Sequence, residues 1–160
     1  MRLEVLAVGR LKTGPESELY DRFCERIVKS GKQLHLTGPH LTEIPEGKGS
    51  NVALRKQEES RQLLAKVEAG SKIILLDERG KDLTSQGFAE LIRAQQEDGV
   101  RSLAFAIGGA DGHGDDLKAQ ADRSIRFGSM TWPHQLVRIM LVEQIYRAIT
   151  ILSGHPYHRE

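Results

Sequence analysis

A chain of 160 residues is long enough to bury a core of its own, and we predict a single domain over residues 1–160. Its 23 Lys and Arg against 22 Asp and Glu leave a net charge of +1, so overall charge indicates no polyanionic partner. One cysteine excludes an intrachain disulfide, and no apolar run reaches the ~18 residues of a membrane span. We therefore expect a soluble cytoplasmic protein, whose last quarter, from Arg123 on, carries five Arg against two acidic residues while the rest is slightly acidic.

Apolar runs that alternate with helical patterns predict an α/β fold, with a parallel-rich sheet and helices on both faces. The predicted strands are residues 3–8, 33–44, 72–76 and 102–107, followed by an extended segment at 125–132. The predicted helices cover about residues 14–30, 51–70, 84–99, 115–121 and 134–152. Asn51 and Thr84 are expected to cap the second and third of these helices.

The last predicted helix is more apolar than a helix that covers one side of a core. Its apolar residues exceed a single ~100° stripe, which implies two buried faces. One face is expected to pack on the sheet, and the other most economically meets a second copy in a two-fold dimer. The alternative is a central helix wrapped within one subunit.

A glycine-rich stretch, Gly-Gly-Ala-Asp-Gly-His-Gly, follows the apolar strand at residues 102–107. A strand that stops at glycines at the carboxyl edge of an α/β sheet is typical of the floor of a small-molecule site. A plain turn is the alternative. The stretch lacks the spacing of a dinucleotide fingerprint and the Gly-Lys-Ser/Thr of a phosphate loop, so neither nucleotide motif is indicated.

Three further side chains each allow two interpretations. Asp77 either binds a ribose hydroxyl or caps the turn after its strand. Met130 and Trp132, just before a proline, either line an apolar pocket or belong to the core. No metal site is predicted, because the spacing of the candidate ligands is unconvincing: Cys24, His113, His155 and His158.

The C-terminal sequence His-Pro-Tyr-His-Arg-Glu, residues 155–160, places an aromatic ring, two imidazoles and a guanidinium after the last helix. Such groups can stack on a base, contact phosphate and exchange protons. A frayed polar terminus is the alternative.

Taken together, these parts resemble the RlmH family, the smallest SPOUT-type methyltransferases, which methylate large-subunit ribosomal RNA. The resemblance extends over the whole chain. It rests on Met-Arg-Leu-Glu-Val-Leu-Ala-Val-Gly, Leu-Asp-Glu-Arg-Gly-Lys, Phe-Ala-Ile-Gly-Gly-Ala-Asp-Gly, Ser-Met-Thr-Trp-Pro-His-Gln-Leu-Val-Arg, Glu-Gln-Ile-Tyr-Arg-Ala and the closing His-Pro-Tyr-His-Arg-Glu. It implies a SPOUT-type sheet with a C-terminal trefoil knot, a homodimer, and S-adenosylmethionine as methyl donor. The implied substrate is N3 of a pseudouridine in 23S ribosomal RNA, on the assembled ribosome.

The resemblance also implies site residues. The implied cofactor contacts are Leu76, Gly108, Phe127, Gly128, Ser129, Met130, Thr131 and Trp132. Two details differ from the usual family pattern: Phe127-Gly128 replaces a commoner Leu-Ser, and the loop carries Ala110-Asp111. The tail residues Tyr157, His158 and Arg159 match the catalytic and RNA-contacting motif. We add Arg123, Arg126, Arg138 and His155 as candidate contacts to RNA phosphates.

A mechanism follows for the tail. The N3–H of pseudouridine is weakly acidic, and a nearby cation would lower its pKa; Arg159 is the candidate for that role. His158 is the candidate proton acceptor, and Tyr157 positions the base or the tail. A different class of function, a non-enzymatic module that binds RNA or the ribosome, would leave the glycine stretch as a mere turn. A Rossmann-type nucleotide enzyme is disfavoured by the late position of the glycines.

Overall fold

The chain forms one five-stranded sheet, described here from a computed structural model for residues 1–158. The strands run β2-β1-β4-β3-β5 across the sheet, and every neighbouring pair is parallel. They are β1 (Arg2–Val8), β2 (Thr37–Ile44), β3 (Lys72–Asp82), β4 (Ser102–Ile107) and β5 (Arg123–Arg126). The predicted parallel α/β sheet is confirmed.

Five helices cover the two faces of this sheet. They are α1 (Pro15–Gly31), α2 (Val52–Leu64), α3 (Ser85–Glu97), α4 (Asp115–Gln120) and α5 (His134–Leu152). Helices α1, α3 and α5 pack on one face, and α2 and α4 pack on the other. Within the described residues, none of these helices is long and apolar enough to span a membrane.

The alternating side chains of β1 show why both faces are covered. Leu3, Val5 and Ala7 pack in the core cluster that holds α1, α3 and α5. Leu6 and Val8 pack in the cluster beneath α2 and α4. Successive strand residues point to opposite faces, so an apolar run such as this one requires a cover on each side.

Local chemistry sets several element boundaries as predicted. The Asn51 side chain accepts a hydrogen bond from the amide of Leu54 at 2.9 Å, and the Thr84 hydroxyl accepts one from Gly87 at 3.0 Å. Both predicted caps are therefore confirmed. Other boundaries differ: β2 starts later than expected because Lys32–Leu34 form a 3₁₀ turn, and residues 127–132 form a loop rather than extended strand.

Helix α5 lies between α1 and α3 against the sheet. Its neighbours within the same subunit bury most of its apolar residues, including Leu141, Ile145 and Ile149. The interpretation of a helix wrapped within one subunit therefore explains most of its composition. Leu136, near its first turn, is 40% exposed.

The unusual element is β3, which continues past its predicted end. Ile125 of β5 pairs with Leu76 in the first part of β3 and with Lys81 in the second. Residues 77–80 therefore form an irregular segment between the two pairings. A Cβ at Gly80 would lie 2.5–2.7 Å from the backbone of Ile125, closer than real Cβ atoms come to other atoms. Only glycine fits here without a shift of β5.

Arg138 corrects a prediction. Its side chain is fully buried, with its guanidinium 2.6 Å from the Glu43 carboxylate and donating to the carbonyls of Val8 and Gly9 at 2.7 and 2.8 Å. The expectation that Arg138 holds RNA phosphates was wrong, because a cation enclosed by the fold cannot reach an external phosphate. It joins α5 to the ends of β1 and β2 instead.

We expect Arg138→Met to lower the free energy of unfolding by about 3–5 kcal/mol, because Glu43 and two carbonyls would lose their partner. Urea denaturation measures this. Arg123→Met is the matched control, since Arg123 is exposed and should change stability by less than ~0.5 kcal/mol. Weaker RNA binding at an unchanged urea midpoint would contradict a structural role for Arg138.

Candidate functional site

A cavity of about 570 Å³ opens where β3, β4 and β5 end. These strands are neighbours in the sheet, so the segments that follow them meet at one edge. Its walls include Leu76 and Asp77 after the first part of β3, the glycine stretch after β4, and the loop after β5. Its volume is within the usual range for small-molecule sites, and its position is the usual ligand position in open α/β sheets.

Seven of the eight predicted cofactor contacts line this cavity: Leu76, Gly108, Phe127, Gly128, Met130, Thr131 and Trp132. Ser129 is not among the lining residues. The fold therefore brings together three segments that are far apart in the sequence.

The glycine stretch is both a tight turn and part of the cavity wall. The amide of Gly112 donates to the carbonyl of Gly109 at 3.0 Å, and Gly112 has φ +80°, a conformation that favours glycine. A Cβ at Gly108 would lie 3.1 Å from the carbonyl carbon of Gly112. The two interpretations of this stretch are thus compatible.

An apolar wall faces the glycines. Met130 is 71% exposed and Trp132 is 40% exposed, so both line the cavity rather than the core. The indole N–H of Trp132 donates to the carbonyl of Phe127 at 2.9 Å, which fixes the ring relative to its own loop. An exposed, oriented indole beside a thioether offers a surface on which a planar ring can pack.

Charged groups surround the mouth of the cavity. Asp77 accepts a hydrogen bond from the amide of Arg79 at 2.8 Å, so it caps its turn, and it also lies 3.6 Å from Lys118. Arg126 donates to Asp82 at 3.0 and 2.6 Å, and this pairing lowers the pKa of Asp82. The cation predicted to hold RNA is therefore already paired with a carboxylate.

Among the lining residues that the sequence did not indicate as part of a site are three with basic side chains: Lys56 from α2, Arg79 from the 77–80 segment, and His134 at the start of α5. Lys56 and Arg79 form no ion pair with any residue in 1–158. Nothing local marks them, since their position depends on how α2 and β3 pack around the cavity.

His113 is the least expected member of the wall. Its ring is 2% exposed, and Nε2 lies 3.0 Å from the carbonyl oxygen of Leu76. A carbonyl only accepts, so Nε2 carries the proton and Nδ1 is a bare acceptor, buried and without a partner in the described part of the chain. Burial lowers the pKa of His113.

Within the described part of the tail, neither Tyr157 nor His158 lines the cavity. Tyr157 packs edge-on against Tyr146, with ring centroids 4.7 Å apart, and its hydroxyl donates to Glu143 at 3.2 Å. Burial and the Glu143 carboxylate raise the pKa of Tyr157. His134 lines the cavity, and Tyr146 lies twelve residues further along α5, a rise of about 18 Å.

Arg123, His155 and His158 do not line the cavity, whereas Arg126 does. His158 is partly buried, and Arg123 and His155 are exposed. Arg159 lies outside the described residues. No group of three or more His, Cys, Asp or Glu side chains in residues 1–158 is arranged to hold a metal ion.

Comparison with known proteins gives this geometry a context. The sequence profile of the family described as "Predicted SPOUT methyltransferase" matches residues 1–158. A solved methyltransferase of Legionella pneumophila, in complex with SAM, is a distant likeness at TM-score 0.47 and 11% identity, covering 92% of this chain and 66% of that one.

Curated relatives match over nearly their whole length. The relative from Mesorhizobium japonicum is 52% identical over 159 residues, and that from Brucella anthropi is 50% identical over 159; 99% of each chain is covered in both cases. The relative from Rhizobium leguminosarum is 51% identical over the same length and coverage. All three are named "Ribosomal RNA large subunit methyltransferase H". With a cavity at the ends of three adjacent strands and a profile match over 158 residues, the chain belongs to the SPOUT methyltransferase family.

Proposed function

We propose that this chain is an S-adenosylmethionine-dependent methyltransferase that modifies N3 of a pseudouridine in 23S ribosomal RNA on the assembled ribosome. The observation that carries the proposal is the cavity at three strand ends, in a chain 52% identical over 159 residues to a relative named as a ribosomal RNA methyltransferase. A cytoplasmic location follows from a ribosomal substrate.

The cavity suits the cofactor on its own chemistry. Leu76, Met130 and Trp132 supply apolar surface for the two faces of an adenine ring. Gly128 leaves backbone groups open to a ligand, because no atom lies within 4 Å of where a Cβ would be, and the missing Cβ of Gly108 lets Gly112 and His113 pack close to it. When bound, the cofactor supplies an electrophilic methyl group. The fold contributes its position, and positioning accounts for much of the rate of such a transfer.

The tail supplies the remaining chemistry in this proposal. Arg159 stabilises the anion that forms when N3 of pseudouridine loses its proton. His158 accepts that proton, since an imidazole is the side chain best suited to do so near neutral pH. Tyr157 holds the tail in place. Its contacts with Tyr146 and Glu143 support that positioning role.

We infer a homodimer in which the tail of one subunit completes the cavity of the other. The docking of Tyr157 against Tyr146 and Glu143, away from the cavity residues at the first turn of α5, supports this. Exposed apolar side chains at the cavity end of the helix offer a surface for the second copy: Met130, Trp132 and Leu136.

We also infer that the chain is a single domain threaded into a knot at its C-terminal part. The pairing of Ile125 with both Leu76 and Lys81 supports threading, because β3 interrupts its register at residues 77–80 and returns to the same residue of β5. Knots are rare exceptions in protein topology, so the inference depends on this local detail rather than on any general preference.

The candidate RNA contacts change accordingly. Arg123 and His155 stay candidates because they are exposed, and Arg126 stays one at the cavity, although its charge is shared with Asp82. We add Lys56 and Arg79, cations at the cavity with no ion pair in residues 1–158. Such contacts position the RNA and carry no sequence information of their own.

Cofactor binding is tested by fluorescence, because Trp132 is the only tryptophan of the chain and lines the cavity. We expect S-adenosylmethionine to change this emission saturably, because an adenine ring against the indole alters its surroundings. NAD and ATP share the adenine ring but carry phosphates in place of the sulfonium amino acid, so they should change the emission only at much higher concentration, and Trp132→Phe should abolish the signal. No heat in calorimetry with the cofactor would favour the non-enzymatic module.

The role of the tail is tested with Arg159→Ala. We expect methyl transfer to ribosomes to fall at least about 100-fold, the usual effect of losing one stabilising group at a developing anion. The cofactor Kd should stay within about twofold, because the tail does not bind the cofactor in this proposal. Arg159→Lys, which keeps the charge, is the control. Full transfer by Arg159→Ala would show that the tail is not catalytic.

Tail exchange is tested by mixing two inactive variants, Gly108→Val in the cavity and Arg159→Ala in the tail. Each mixed dimer has one intact cavity and one intact tail on opposite subunits. Equal mixing should therefore restore about one quarter of the wild-type rate, since half of the dimers are mixed and each has one complete site of two. Each variant alone is the control. No recovery, despite subunit exchange shown by native mass spectrometry, would place the tail in its own subunit.

A further inference from the structure

His113 occupies the gap between two walls of the cavity. On one side its Nε2–H donates to the carbonyl oxygen of Leu76, which is the last residue of the first part of β3. On the other side a Cβ added at Gly108 would lie 3.2 Å from the ring carbon Cε1 of His113. The ring is therefore in contact with the backbone at the ends of both β3 and β4.

The backbone around His113 leaves the ring little freedom. The amide of Gly114 donates to the hydroxyl of Ser60 at 2.7 Å, and a Cβ at Gly114 would lie 2.8 Å from the carbonyl oxygen of Lys56. On the other side, Gly112 is held in its turn by its bond to Gly109. Because the backbone on both sides of His113 is held in place, the orientation of its imidazole is restricted. The side chain is 2% exposed.

We propose that His113 is a positioning residue of the cofactor cavity, whose neutral ring fixes the Leu76 carbonyl and supports Gly108 from behind. This inference rests on the proposed function, since both groups it holds are proposed cofactor contacts. The ring is 2% exposed, so its main effect is on the two groups it contacts rather than on the ligand directly.

The charge on this ring matters for the cavity. Three charged groups influence the pKa of His113: Asp77 after the first part of β3, Lys118 on α4 and Lys56 on α2. Burial and the two lysines favour the neutral form, while Asp77 and the Leu76 carbonyl oppose them, and the pKa of His113 is lowered overall. Protonation is therefore expected only below the ordinary imidazole value of about 6.5, and it would place a charge inside the wall.

The test compares two variants by the Trp132 signal and by steady-state kinetics with S-adenosylmethionine. His113→Gln keeps an N–H donor close to the Nε2 position but does not titrate, whereas His113→Leu keeps the bulk and loses the donor. At pH 8 we expect a cofactor Kd within about twofold of wild type for His113→Gln. For His113→Leu we expect a Kd about tenfold higher. KM for the cofactor should rise with Kd, and kcat should stay within about twofold.

The pH dependence separates positioning from simple packing. Wild-type affinity should weaken as the pH falls below about 6.5, and His113→Gln should lack that part of the profile. Equal Kd values for His113→Leu and wild type would overturn the proposal, as would equal losses in both variants or an unchanged profile in His113→Gln. Thermal melting monitors folding, and His113→Asn, too short to reach Leu76, replaces His113→Leu if that variant does not fold. Failure of wild type to bind the cofactor at all would instead refute the proposed function, and this inference with it.

Discussion

The site depends on one constraint, the double pairing of Ile125 with Leu76 and Lys81. Because β3 pairs with β5 on both sides of the 77–80 segment, the start of the loop after β5 is held beside β3. The absence of a side chain at Gly80 makes this close approach sterically possible. Three segments remote in sequence thus become three walls of one cavity.

A second constraint is the burial of Arg138, which lies one helical turn along α5 from His134 in the cavity wall. Its partners Glu43 and Val8 lie 95 and 130 residues away in the chain, so nothing near Arg138 in the sequence indicates its burial. Arg138 is one of the few polar residues of the predicted last helix. In a basic C-terminal quarter, such an arginine suggests a contact with nucleic acid. The structure assigns it to the junction of α5 with β1 and β2, close to His134 in the cavity wall.

What could be predicted from the sequence is what local chemistry decides. The β1 apolar run, the Asn51 and Thr84 caps and the limits of α5 follow from periodicity and hydrogen bonding within a few residues. The second half of β3 could not be foreseen, because Lys81 and Asp82 are charged and pair with β5 only through the tertiary fold. His113 was considered only as a metal ligand, since its role depends on a carbonyl 37 residues earlier.

The layout of the chain separates two tasks along one rigid helix. The first turn of α5 borders the cavity, and Tyr146, Arg147 and Glu143 further along it hold Tyr157. Helix α5 packs between α1 and α3 and holds the docked Tyr157 apart from the cavity residues at its first turn. If both ends take part in catalysis, a single subunit has a cavity without its reactive groups, and association supplies them. The proposed activity is then a property of the pair, and subunit concentration sets how many complete sites exist.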